Sequence, residues 1–82
     1  MNVEIIREVT LRSVVMNVDR SGELVLATLC REYSAKNVTV SMVNNKVRIG
    51  KDAYRMTVQI DDAHADEFMT TLLAQINTRR AA

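Results

Sequence analysis

Residues 38–60, VTVSMVNNKVRIGKDAYRMTVQI, decide the fold, because apolar and polar side chains alternate through them in three short segments. Val38, Val40 and Met42 alternate with Thr39 and Ser41, Val47 and Ile49 with Lys46 and Arg48, and Tyr54, Met56, Val58 and Ile60 with Arg55, Thr57 and Gln59. Asn tolerates positive φ, so Asn44-Asn45 suits a two-residue turn. That turn predicts Met42 opposite Val47 and Val40 opposite Ile49. A second turn over Gly50 to Ala53 predicts Ile49 opposite Tyr54, Val47 opposite Met56 and Arg48 opposite Arg55. In this register every apolar residue of the meander shares one face, and a one-residue slip would expose a whole strand's apolar set.

The rest of the chain supplies helices to cover that face. Ser21 or Asp19 can cap a helix to about Tyr33, with Leu26, Leu29, Cys30 and Tyr33 at helical spacing and Glu23, Arg31 and Glu32 facing away. A second helix opens after Asp61-Asp62, with Ala65, Phe68, Met69, Leu72 and Ile76 as its stripe. Acidic residues stand at its start and Arg79-Arg80 at its end, as the helix dipole favours. At the beginning, Val3, Ile5, Val9 and Leu11 keep one strand parity while Val14, Met16 and Val18 keep the other. A turn or bulge is expected between Arg7 and Ser13. A helical reading of residues 10–18 stays open, although their β-branched residues favour strand. The expected fold is α+β, a two-layer sandwich with two helices on one face of a mainly antiparallel sheet of four or five strands, in the order β(β)-α-β-β-β-α. Residues 1–78 form a single domain and 79–82 a short C-terminal tail.

Composition bounds the function. A chain of 82 residues makes one small domain whose core dimerisation would supplement. With 48% apolar and 26% charged residues it is globular, and its net charge of +1 provides no general pull toward nucleic acid or membrane. The one cysteine cannot form an intramolecular disulfide, the start reads as a strand and no apolar run is long enough to span a bilayer, so a cytoplasmic location is expected.

No residue set announces a reaction. His64 stands among Asp61, Asp62 and Asp66, but one imidazole without further ligands reads more simply as an exposed helix residue. Cys30 lies on an inner helical stripe and reads as a small buried hydrophobe. Asp61-Asp62 read as helix caps, and Gly22 and Gly50 lack the company of a phosphate loop. No catalytic residue, metal or cofactor is expected. Met16, Met42, Met56 and Met69 read as gap-fillers at buried or half-buried positions.

The polar face of the meander is the candidate docking surface. Lys46, Arg48 and Arg55 lie there among Thr39, Ser41, Thr57 and Gln59, and two opposed arginines invite an acidic partner or a phosphate. Glu4 and Glu8 on the first strand could neutralise them instead. Tyr33, Tyr54 and Phe68 fall on the core side, which disfavours single-stranded RNA as the ligand. In length and general plan the whole chain resembles the small modulator proteins of temperate phages and plasmids, corepressors of the Bof/Lxc kind. That resemblance implies a protein that strengthens a repressor's grip on DNA without a recognition helix of its own. The DinI-like SOS modulators are similar in plan, but their C-terminal helix is strongly acidic, whereas this chain ends in Arg79-Arg80. The expected function is a non-enzymatic regulatory adaptor that binds a protein partner, a DNA-binding transcription regulator first. Direct nucleic-acid binding through the basic face is the alternative, and a small enzyme comes third. Homodimerisation fits the size, and no membrane partner is expected.

Overall fold

The computed structural model describes residues 2–5 and 8–80. They form β1 (Leu11–Val18), α1 (Arg20–Ala35), β2 (Val40–Gly50), β3 (Ala53–Asp61) and α2 (Asp62–Arg80). β3 lies in the middle of the sheet and pairs antiparallel with both β1 and β2. β1 and β2 therefore run in the same direction and are joined through α1, a split βαβ unit with β3 in the gap. Both helices cover one face. Along β3, Met56, Val58 and Ile60 are buried while Arg55 is exposed and Thr57 and Gln59 are partly exposed. The expected α+β two-layer plan is what forms.

Local chemistry sets the ends of α1. Asp19 has extended backbone geometry and its Oδ1 accepts from the Gly22 N–H at 2.7 Å, which satisfies one of the helix's orphan donors. At the other end Asn37 takes φ 64°, and the amides of Asn37 and Val38 donate to the carbonyls of Ser34 and Tyr33. This closing motif needs a left-handed residue, and Asn supplies it at small cost. The apolar stripe of α1 (Val25, Leu26, Leu29, Cys30, Tyr33) meets Ala65, Phe68 and Leu72 of α2 over Met56, Val58 and Ile60. Phe68 is fully buried with its ring edge-on to Tyr33, centroids 5.2 Å apart. Burying a ring of that size stabilises by roughly 1.5–3 kcal/mol.

Two sequence expectations fail in β2. The chain does not turn at Asn44-Asn45, because Val40–Gly50 is one strand whose two segments, Val40–Val43 and Val47–Gly50, each pair with β3. Counted as paired segments the sheet has four, and as continuous strands three. Between the pairs Val43↔Thr57 and Val47↔Arg55, β2 advances two residues further than β3, so the surplus is absorbed as a bulge. The second turn is also tighter than expected. Gly50 pairs with Ala53 and Arg48 with Tyr54, which leaves Ile49 as an extra residue. Arg48 therefore does not face Arg55.

At the beginning, residues 11–18 are a strand, and the parity change is not a bulge within it, since every position from Leu11 to Val18 pairs in regular register with β3. Even-numbered Val14, Met16 and Val18 pack toward the helices, whereas Leu11 and Val15 point outward, 46% and 59% exposed. Residues 2–5 and 8–10 carry no regular structure, so among the described residues no additional strand precedes β1, and Ile6 and Arg7 lie outside them. α2 continues through Arg80, which takes in two residues expected in a tail, and Ala81 and Ala82 lie outside the described residues. Met42 is also more exposed than expected, at 43%.

Candidate docking face

The face of the sheet turned away from the helices is laid out in rows by the register. Asn17, Arg55 and Val47 form one row, Val15, Thr57 and Val43 the next, and Ser13, Gln59 and Ser41 the third. Leu11 and Asp61 follow, with the Asp61 N–H donating to the Thr39 carbonyl at 2.9 Å. The centre is thus a β-branched patch of Val15, Thr57 and Val43, flanked by hydroxyl and amide side chains and, in the row of Asn17, by Arg55 and Val47. Asn45 reaches onto it, its Nδ2 donating to Thr57 Oγ1 at 3.4 Å. Arg55 is the basic residue of these rows, and its Nε donates to Asn17 Oδ1 at 3.4 Å.

The residues predicted to form one basic surface are divided between two faces. Thr39, Ser41, Thr57, Gln59 and Arg55 share the outer face. Lys46 and Arg48 belong to the helix side, opposite in facing to Arg55. Lys46 Nζ stands 2.8 Å from Glu23 Oε1 of α1 and 4.3 Å from the centroid of the Tyr54 ring. The carboxylate that neutralises it is therefore Glu23, which was expected to face away, and not Glu4 or Glu8, both of which are exposed in the segment before β1. Arg48 turns back on its own turn, Nε and Nη2 donating to the carbonyls of Gly50 and Lys51 at 3.0 and 3.1 Å. The physical cause of the division is the bulged β2, which keeps odd-numbered residues outward from Thr39 to Val47 and places Lys46 and Arg48 inward.

The sequence reading missed Ser13, Val15, Asn17, Val43 and Val47 as members of the outer face. The signal was present: Thr39, Ser41, Val43, Asn45 and Val47 share one parity if no turn is inserted. Apolar Val47 reads as inward from the sequence, and only a turn at Asn44-Asn45 would place it there.

Cys30 is buried, and burial pushes its thiol up from its usual range, which disfavours the nucleophilic thiolate. His64 is partly buried with Nδ1 3.4 Å from Asp61 Oδ2, while Asp61 Oδ1 accepts from the Ala63 N–H at the start of α2. Arg12 binds Asp62 at 2.7 Å and Asp66 at 3.3 Å, tying β1 to α2. Among the described residues, no three His, Cys, Asp or Glu side chains gather as a cation site, and no helix is long and apolar enough to cross a membrane. Comparison with known proteins finds no matching family model, curated protein or solved structure.

Proposed function

We propose that the protein is a non-enzymatic adaptor that docks a protein partner on its open sheet face. The supporting observation is the make-up of that face: an apolar centre of Val15 and Val43 beside Thr57, ringed by Ser13, Ser41, Gln59, Asn17 and Asn45, with Arg55 and Val47 in the row next to it. An apolar centre inside a polar, weakly charged rim is the anatomy of a protein–protein contact. A phosphate backbone would instead call for several cations on one surface, and Lys46 and Arg48 are not on this one. The partner class we favour is a DNA-binding transcription regulator, with the adaptor acting as a corepressor or modulator in a reducing cytoplasm.

Thr57 on the central strand is the position at which to test it. Thr57→Arg adds a long cation to the middle of the face without touching the core. In a pull-down from the host with proteins identified by mass spectrometry, wild type should retain a DNA-binding regulator and sharpen its operator binding in a gel-shift assay, and Thr57→Arg should lose both. If the isolated protein instead binds duplex DNA with an affinity that falls steeply with salt, the nucleic-acid reading replaces this one.

A further inference from the structure

Among the described residues before β1, three large apolar side chains are uncovered. Val3 is 77% exposed, Ile5 89% and Val9 41%, and the molecule measures 60 Å along one axis against 26 and 17 Å along the others. A domain of this length ordinarily has a radius of gyration of about 12 Å, and the observed value is 15.0 Å. These side chains have the same odd parity as Leu11 and Val15, which stand exposed at the edge of the sheet. Among the described residues β1 pairs with β3 alone, so its other edge is open.

We infer that this edge and this segment are made for each other in a second copy of the chain. Backbone and side-chain geometry agree on the register. The Asp62 N–H donates to the Thr10 carbonyl at 2.8 Å, so even-numbered residues of β1 bond toward β3, and odd-numbered Leu11, Ser13, Val15 and Asn17 turn their N–H and C=O groups to the open edge. Two copies related by a two-fold axis at Thr10 pair antiparallel, residue 10+k of one opposite residue 10−k of the other. Leu11 then meets Val9, Val15 meets Ile5 and Asn17 meets Val3, each an odd-numbered position offering its backbone groups to the partner. Arg12 meets Glu8 on the other side of the ladder. Moving the axis by one residue loses apolar matches: centred on Val9, Val15 would still meet Val3 but Ser13 would face Ile5 and Leu11 would lose Val9, and centred on Leu11, Ser13 would face Val9. An isologous contact of this kind closes on itself and joins two three-stranded sheets into one.

The cross-link Ile5→Cys with Val15→Cys, made in a Cys30→Ala background, tests both partner and register. Directly opposed, hydrogen-bonded strand residues have Cα atoms about 5.5 Å apart, within disulfide reach. Mild oxidation should yield a covalent dimer, and Ile5→Cys with Ser13→Cys should not. Wild-type protein should sediment with twice the 9.3 kDa chain mass, and Val15→Lys or deletion of residues 1–9 should sediment as a folded monomer by circular dichroism. A wild-type monomer at high micromolar concentration overturns the proposal. So does an intramolecular disulfide in the Ile5/Val15 variant, which would mean that the segment folds back on its own chain, and so does equal cross-linking of the two cysteine pairs.

Discussion

Single residues show where the small core is satisfied and where it is not. The Tyr33 hydroxyl is buried with no partner in good hydrogen-bonding geometry, although Thr71 and Glu67 stand close enough to act on the phenol as hydrogen-bonding side chains. A buried unmet hydroxyl costs about 1–3 kcal/mol, and the ring already packs edge-on to Phe68. Tyr33→Phe should therefore leave the urea midpoint unchanged or raise it, and a clear fall would mean that the hydroxyl is bonded in solution. Cys30 gives a pH dependence with a definite sign. Burial raises its thiol above the ordinary value of 9.0, so the native state holds this proton longer than the unfolded chain. The associated stability is complete below pH 9 and is lost as pH rises through the native value. Cys30→Ala should flatten the alkaline limb of the stability profile, and iodoacetamide at pH 8 should modify native Cys30 far more slowly than in urea. A stability profile above pH 9 identical in wild type and Cys30→Ala would remove the thiol from the account.

At the scale of elements, what could be read in advance follows from how one-sided each pattern is. α1 and α2 were legible because their stripes are buried on one side and their N-caps are local: Asp19 and Asp61 act on backbone within a turn of themselves, whereas the closure of α1 at Asn37 is visible only in the structure. β3 was legible for the same reason, with Tyr54, Met56, Val58 and Ile60 inward. β2 was not, because the rule that interiors are apolar does not run backwards. Val47 and Ile49 are apolar yet 53% and 43% exposed, and assigning them inward forced a turn at Asn44-Asn45 and an arginine pair that does not exist. Thr39, Ser41, Arg55, Thr57 and Gln59 keep the facing expected of them, while Lys46 and Arg48 lie on the other side of the sheet. Deletion variants separate the two topologies. Removing Asn44 and Asn45 together takes out the surplus and sets Lys46 opposite Met56 in a regular ladder, so the variant should fold, within about 1 kcal/mol of wild type. A hairpin would lose its turn. Removing Asn44 alone reverses the facing of Val47 and all that precedes the next turn, and should cost more than the double deletion. An unfolded double deletion would restore the hairpin.

The whole molecule is a sheet with two unlike edges. On the β2 side the edge is broken by the surplus after Val43 and again at Ile49, and it carries Lys46, Arg48 and Lys51. Bulges and charges of that kind discourage strand addition. The β1 side has none of these devices from Ser13 to Val18: its pairing with β3 is regular and its outward residues are Ser13, Val15 and Asn17. Association through β1 is therefore compatible with a finite assembly, since the second edge cannot propagate it. Stripping the guard from β2 should change that. Lys46→Val with Arg48→Val, combined with deletion of Asn44 and Asn45, gives β2 an uncharged, β-branched run that is regular from Val40 to position 48, with free backbone groups. A protein open at both edges can grow in both directions, so this variant should scatter light increasingly with concentration and bind thioflavin T, while the deletion alone stays clear. Clear solutions of both variants at several hundred micromolar would show that the charges and bulges of β2 have no protective role.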